Sequence, residues 1–246
     1  MRISPEISVL PNGLTIITDH MKGYNEVTIE VSIGVGSRYE KDHERGVSHF
    51  VEHMMFKGTP TYTASQLHTV VERMGSSYNA YTSTESTDYQ MSCLKEDVGA
   101  GLDILGDMLT HSLLDSEELE KERKVVLNEI KSYEDNPIKP LRDAWWGELV
   151  YGECDLTKPI GGSVEGITDM PRDTLVDYIQ KHYNTFNCII SVAGDVDHNE
   201  VVDRVQSAFV DMPTSILKSK CPSVTYKGGE RRVEKDSLEK LYFTLG

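Results

Sequence analysis

Cysteine is sparse in this 246-residue chain: Cys93, Cys154, Cys188 and Cys221 stand far apart, with no Cys-x-x-Cys pair. That excludes a cysteine zinc knuckle and a disulfide-dense framework, and a reducing compartment is the simplest setting. Long apolar runs are missing as well. No segment approaches the roughly 20 apolar residues of a membrane span, and the N-terminal stretch lacks a basic start followed by a continuous apolar run. Neither a membrane span nor export is expected, and a cytoplasmic location is. Basic residues are in deficit: 25 Lys and Arg against 40 Asp and Glu give a net charge of −15 and a pI near 4.9. A phosphate backbone would be repelled, so no nucleic-acid partner is expected. The same field attracts basic ligands if the carboxylates gather in a cleft, and otherwise serves only solubility. What is present, 38% hydrophobic and 26% charged residues with 19 Gly and 9 Pro, fits a folded globular protein rather than a collagen-like or disordered one.

The first thirty-five residues read as strands. Ile7 to Leu10 and Leu14 to Thr18 flank Pro11-Asn12-Gly13, and Asn12-Gly13 is expected to supply the positive-φ positions of a tight hairpin. Val27, Ile29, Val31 and Ile33 then alternate with Thr28, Glu30 and Ser32, the period of a half-buried strand. After Gly46 the period changes. Val47, Phe50, Val51, Met54 and Met55 recur at three and four residues, which predicts a helix over about 46–57 leaving through Lys57-Gly58-Thr59-Pro60. By the same reading, helices fall at 64–74, 96–111, 116–134, 172–183 and 198–209, and extended segments at 79–82, 89–94 and 188–193. Asp115 with Glu118 reads as a capping box opening the helix at 116. The stretch to Pro171 after Asn136-Pro137, with Trp145 and Trp146, is weakly periodic and receives no element. Strands and helices mix without a regular βαβ repeat, so the expected class is α+β, a mostly antiparallel sheet layered with helices.

One segment carries chemistry: His49-Phe50-Val51-Glu52-His53. On a helix His49 and His53 project from one face, with Glu52 beside them. This is HxxEH, the reverse of the HExxH order of many zinc hydrolases. Two neutral imidazoles and one carboxylate suit Zn²⁺ and leave a fourth tetrahedral position for water. Glu52 is better placed as a base toward that water than as a ligand. The third ligand must come from elsewhere, and the helix at 116–134 offers Glu117, Glu118, Glu120, Glu122, Glu129 and Glu134. Glu122 and Glu129 lie within roughly 20° of each other on a 3.6-residue helix, next to Val126. Two carboxylates on a semi-buried face call for a partner or a metal.

His49-Phe50-Val51-Glu52-His53-Met54-Met55-Phe56-Lys57-Gly58-Thr59 resembles the signature of the pitrilysin and insulinase-like zinc metallopeptidases, nearest to their processing-peptidase β-subunit branch and its bacterial relatives. Gly36 to Glu40, Asn79 to Ser83, Glu122 to Ile130, Glu134 to Pro137 and Ile160-Gly161-Gly162 resemble the family's other blocks in the same order. The resemblance implies one zinc ion per chain held by His49, His53 and Glu129, with Glu52 as the catalytic base. It implies that Glu122 is an outer carboxylate steadying the ligands. It implies that Asn79, Ala80 and Tyr81 belong to an edge strand on which a peptide substrate is laid. Gly75-Ser76-Ser77 departs from the paired glycines common before that strand.

The resulting expectation is a zinc endopeptidase acting on unfolded or short peptides, basic ones where the acidic field reaches the cleft. Residues 1–212 would form the catalytic N-terminal domain, and 213–246 a linker and the start of a second domain, with Leu241 to Leu245 as its first strand or an edge strand of the first sheet. Family chains carry a second half that closes over the substrate, so the rival expectation is a zinc-binding, peptide-docking fragment or subunit, inactive without that half. A metal-free acidic domain that binds basic peptides is the other rival. The family's branches also allow a mitochondrial matrix location if a leader has been removed.

Overall fold

Period-2 patterning in the first thirty-three residues becomes three strands in the computed structural model, which describes residues 4–136, 138–139, 141, 145, 150–151, 154–215, 226, 228–230, 232 and 243. They are β1 (Glu6–Val9), β2 (Thr15–His20) and β3 (Glu26–Ile33). Next come α1 (Val47–Met54), α2 (Ala64–Arg73), β4 (Ser77–Thr82) and β5 (Thr87–Leu94). Then follow α3 (Val98–His111), α4 (Ser116–Asp135), α5 (Val164–Asp169), α6 (Arg172–His182), β6 (Cys188–Gly194) and α7 (His198–Ala208). The sheet order is β1-β2-β6-β3-β5-β4. All pairings are antiparallel except β2 with β6, so the fold is α+β with a mostly antiparallel sheet, as the pattern predicts. Cys93, Cys154 and Cys188 are free thiols. No helix among the described residues is long and apolar enough to cross a membrane.

One face of the sheet makes the core. Val27, Ile29, Val31 and Ile33 of β3, Tyr89, Met91 and Cys93 of β5, and Ile190 and Val192 of β6 are all buried. The helix α3 lies so close that a Cβ on Gly101 would meet Ile29 and Met91. The alternate positions of β3, Thr28, Glu30 and Ser32, are only half-buried. At the far edge stands β4, bonded to β5 on one side. The helix α1 packs against β4, β5, α4 and α6. It is thereby held between the edge strand and the long helix α4.

Three local expectations are corrected. In the hairpin only Gly13 has positive φ, +93°, whereas Asn12 does not; Leu10 and Leu14 pair across a three-residue loop, and the Asn12 Oδ1 accepts from Leu14 N. A three-residue loop needs one left-handed residue where a two-residue loop needs two. Asp115 does cap α4, accepting from the N–H groups of Glu117 and Glu118, but the reciprocal half of a capping box is absent because Glu118 pairs with Lys121. And the weakly periodic stretch contains α5, opened by Ser163 accepting from Gly166 N; six residues are too few to show a period. Trp146 and most of the linker and terminal strand expected beyond Ser215 lie outside the described residues.

Candidate metal centre

The helix that bears the motif exists because Val47, Phe50, Val51 and Met54 form a buried stripe at helical spacing. Burying that stripe turns His49, Glu52 and His53 toward the cleft between β4 and α4. On α4, Leu119, Val126 and Ile130 face the core together with Glu122 and Arg123. The Arg123 guanidinium donates to the carbonyls of Ile167 and Met170 and lies 5.3 Å from the centre of the Phe50 ring, which fixes α4 against both α1 and α5.

The two helices bring three donor atoms together. The Nε2 atoms of His49 and His53 are 3.2 Å apart, and Glu129 Oε2 lies 3.6 Å from the first and 3.3 Å from the second. Donors about 2.0–2.2 Å from a tetrahedral zinc ion stand roughly 3.3–3.5 Å from one another, so the chemistry and the spacing of this set both fit zinc. Among the described residues this is the one cluster of its kind. Of the carboxylates that α4 offers, Glu129 enters the cluster and Glu122 does not; Glu122 Oε1 instead accepts from His53 Nδ1 at 2.9 Å, and its other oxygen accepts from Lys57 Nζ at 2.5 Å. The expectation that both would sit on a semi-buried face is corrected. Glu122 is 7% exposed, but the Glu129 side chain is 50% exposed because it opens into the cleft.

Electrostatics separate the groups. Burial, then the neighbouring His53, pushes the His49 imidazole down to about 4, which keeps it neutral and available as a ligand. Burial also opposes charge on His53, but the Glu122 hydrogen bond and the charges of Glu129 and Glu52 outweigh it and hold that imidazole above its usual value. For Glu122 burial is overcome by His53 and Lys57, and its carboxyl is held low. Glu52 is raised, chiefly by burial, against the pull of the Thr82 hydroxyl that donates to its Oε2 at 2.6 Å.

A cavity of about 830 Å³ opens over the cluster, lined by His49, Glu52 and Glu129, by Ala80, Tyr81 and Thr82 of β4, and by Tyr133, Lys139, Lys158 and Gly161 across from them. Ala80 and Tyr81 therefore reach the cleft, while Asn79 is not among its lining residues. Thr82 and Lys57 are site residues that sequence reasoning does not find. Thr82 shares the pleat of Ala80, two residues on, a signal that strand alternation carries; Lys57 lies beyond the helix, and no spacing rule links it to Glu122.

The family model described as "Insulinase (Peptidase family M16)" matches residues 15–149, and the one described as "Peptidase M16 inactive domain" matches residues 169–246. An uncharacterized zinc protease of Rickettsia felis is 37% identical over 246 residues, covering 100% of this chain and 59% of the relative. The mitochondrial-processing peptidase subunit beta of Saccharomyces cerevisiae is 33% identical, covering 97% of this chain and 52% of the relative. A protease from Helicobacter pylori, 24% identical, has the same fold, with a TM-score of 0.83 over 91% of this chain and 54% of its own. The chain thus spans little more than half the length of the relatives it matches.

Proposed function

This chain belongs to the insulinase family of peptidases, and on that premise we propose that it holds one zinc ion between His49, His53 and Glu129 and cleaves unfolded or short peptides with Glu52 as general base. The convergence of three donor atoms at tetrahedral spacing carries the reading. When bound, zinc supplies polarisation of a carbonyl and acidifies water toward neutral pH. Glu52 accepts a proton from the attacking water on its carboxylate as the water oxygen bonds to the peptide carbonyl carbon. It then returns that proton to the amide nitrogen as the C–N bond breaks. Thr82 aims the carboxylate, and the burial that raises its pKa brings it closer to the working range of a base. The edge strand β4 offers Asn79, Ala80 and Tyr81 as a track for an extended peptide, which supports recognition by backbone pairing with little demand on sequence.

Replacing Glu52 by Gln keeps the shape of the site but removes the proton acceptor. The variant is expected to retain zinc by elemental analysis and lose about 10²–10⁴-fold in chelator-sensitive peptide cleavage. Undiminished cleavage would sink the role.

A second reading has a specific observation behind it: the chain spans 59% of the Rickettsia relative. In it, residues 1–212 bind zinc and dock a peptide, but turnover needs the region that relatives carry beyond this span, with 213–246 leading into it. The packing supports a boundary near 212, because Met212 is buried and the carbonyl of Pro213 accepts from Thr185 N. Assaying the chain alone and extended by that region separates the two, since equal turnover removes the second reading. The three free thiols fit a reducing compartment, cytoplasmic or mitochondrial matrix.

A further inference from the structure

His53 and His49 are held differently. The second nitrogen of His53 is fixed by Glu122. Metal-binding histidines almost always have such a partner. The Nδ1 of His49 is buried with no hydrogen-bond partner among the described residues, and the backbone of Gly161 passes beside it, so close that an added Cβ there would stand 3.8 Å away. The direction of the His49 ring therefore depends on where its backbone is put. That backbone follows Ser48, in the first turn of α1.

The first turn has no cap of its own. Gly46 occupies the N-cap position at φ +91° and has no side chain to offer. The cap comes from outside the helix. Glu40, only 4% exposed, accepts from Gly46 N on Oε2 at 2.8 Å, and from Ser48 N at 2.9 Å and the Ser48 hydroxyl at 2.6 Å on Oε1. The Ser48 hydroxyl has one proton, and it goes to Glu40. The contact of 2.6 Å between Ser48 Oγ and the Tyr178 hydroxyl must then run from Tyr178 to Ser48. A chain of directed bonds, Tyr178 to Ser48 to Glu40, joins α6 to the start of α1, and a buried carboxylate at a helix N-terminus also complements the helix dipole.

We propose that Glu40 is a positioning residue for the metal centre: with Ser48 and Tyr178 it places the backbone of His49, doing for that ligand what Glu122 does directly for His53. This rests on the zinc site proposed above, and the experiment separates the two.

Zinc affinity is measured by competition with a chromophoric chelator at about pH 8, where the Glu40 carboxyl, pushed up to about 7 by burial, is ionised. The proteins are the unaltered chain, Glu40→Gln and a control, Val205→Ala, which lowers stability in α7 far from the site. Cobalt-substituted absorption spectra are recorded for each. Glu40→Gln keeps the shape but turns an amide NH₂ toward N–H donors. It is expected to weaken zinc about 10- to 100-fold, the range for outer partners of metal ligands, and to shift the cobalt spectrum, while Val205→Ala does neither. A loss below about tenfold in Glu40→Gln, or an equal loss in Val205→Ala, overturns the proposal. Failure of the unaltered chain to bind zinc overturns the site itself instead. If Glu40→Gln does not fold, Ser48→Ala decides the matter: it keeps both backbone donors but breaks the link to Tyr178, so zinc weakens about tenfold, the lower end of that range, and a smaller loss overturns the proposal.

Discussion

Glu122 stands between a cation and a proposed zinc ligand, accepting from Lys57 on one oxygen and His53 on the other. Glu122→Gln keeps one acceptor and loses the charge that sustains both contacts, so zinc affinity is expected to fall about 10- to 100-fold in a chelator competition; unchanged affinity would leave Glu122 a merely structural residue. His182 gives a prediction about pH. Burial, then the neighbouring Lys181, pushes its imidazole down to about 4, with Lys41 acting the same way and Glu44 opposing them. The unfolded chain takes up that proton near 6.5 and the folded one only near 4, so the stabilising contribution is complete above about 6.5 and is lost as pH falls toward 4. Urea unfolding at stepped pH should show a shallower loss across that window in His182→Gln, and an identical slope would show that the proton goes elsewhere. His49, Glu52 and His53 are legible as a site because helical spacing alone puts them on one face. Glu122 and Glu129 are legible only as a pair. What separates their proposed roles is which nitrogen of α1 each meets, Nδ1 of His53 for Glu122 and Nε2 of His49 and His53 for Glu129, which no spacing within α4 encodes. Glu40 is less legible still, because its role depends on a chain reversal that returns Gly46 and Ser48 to its carboxylate.

The strands and longer helices can be read from periodicity, since each buries one stripe against one core. The place of β6 cannot. It arrives late in the sequence yet inserts between β2 and β3, giving the sheet its one parallel pairing, and the pleat of a strand says nothing about which neighbour it will find. The same order leaves β4 paired only with β5 among the described residues, and its other edge is the track proposed for a peptide. Backbone pairing there predicts that a substrate peptide N-methylated at the amides facing β4 loses affinity about tenfold, the equivalent of one charge-free hydrogen bond or two, in a competition assay against the unmethylated peptide. Equal inhibition by both would mean that side chains, not the strand edge, hold the substrate.

At the scale of the whole molecule, the family model named for an inactive domain begins at 169, yet α6, β6 and α7 lie beyond that point and belong to the same sheet and core as the motif helix. Tyr178 of α6 even bonds into the network that caps α1. Helices α6 and α7 and strand β6 thus pack into the same core as the motif helix, and within the net charge of −15 the Glu122 carboxylate at the site is partly offset by Lys57. The most direct measurement is the zinc content of the chain purified without chelators, set beside His49→Ala, His53→Ala and Glu129→Ala variants whose folding is checked by circular dichroism. The account predicts about one zinc per unaltered chain and its loss in each folded variant; no zinc in the unaltered chain, or zinc kept by the variants, would contradict it.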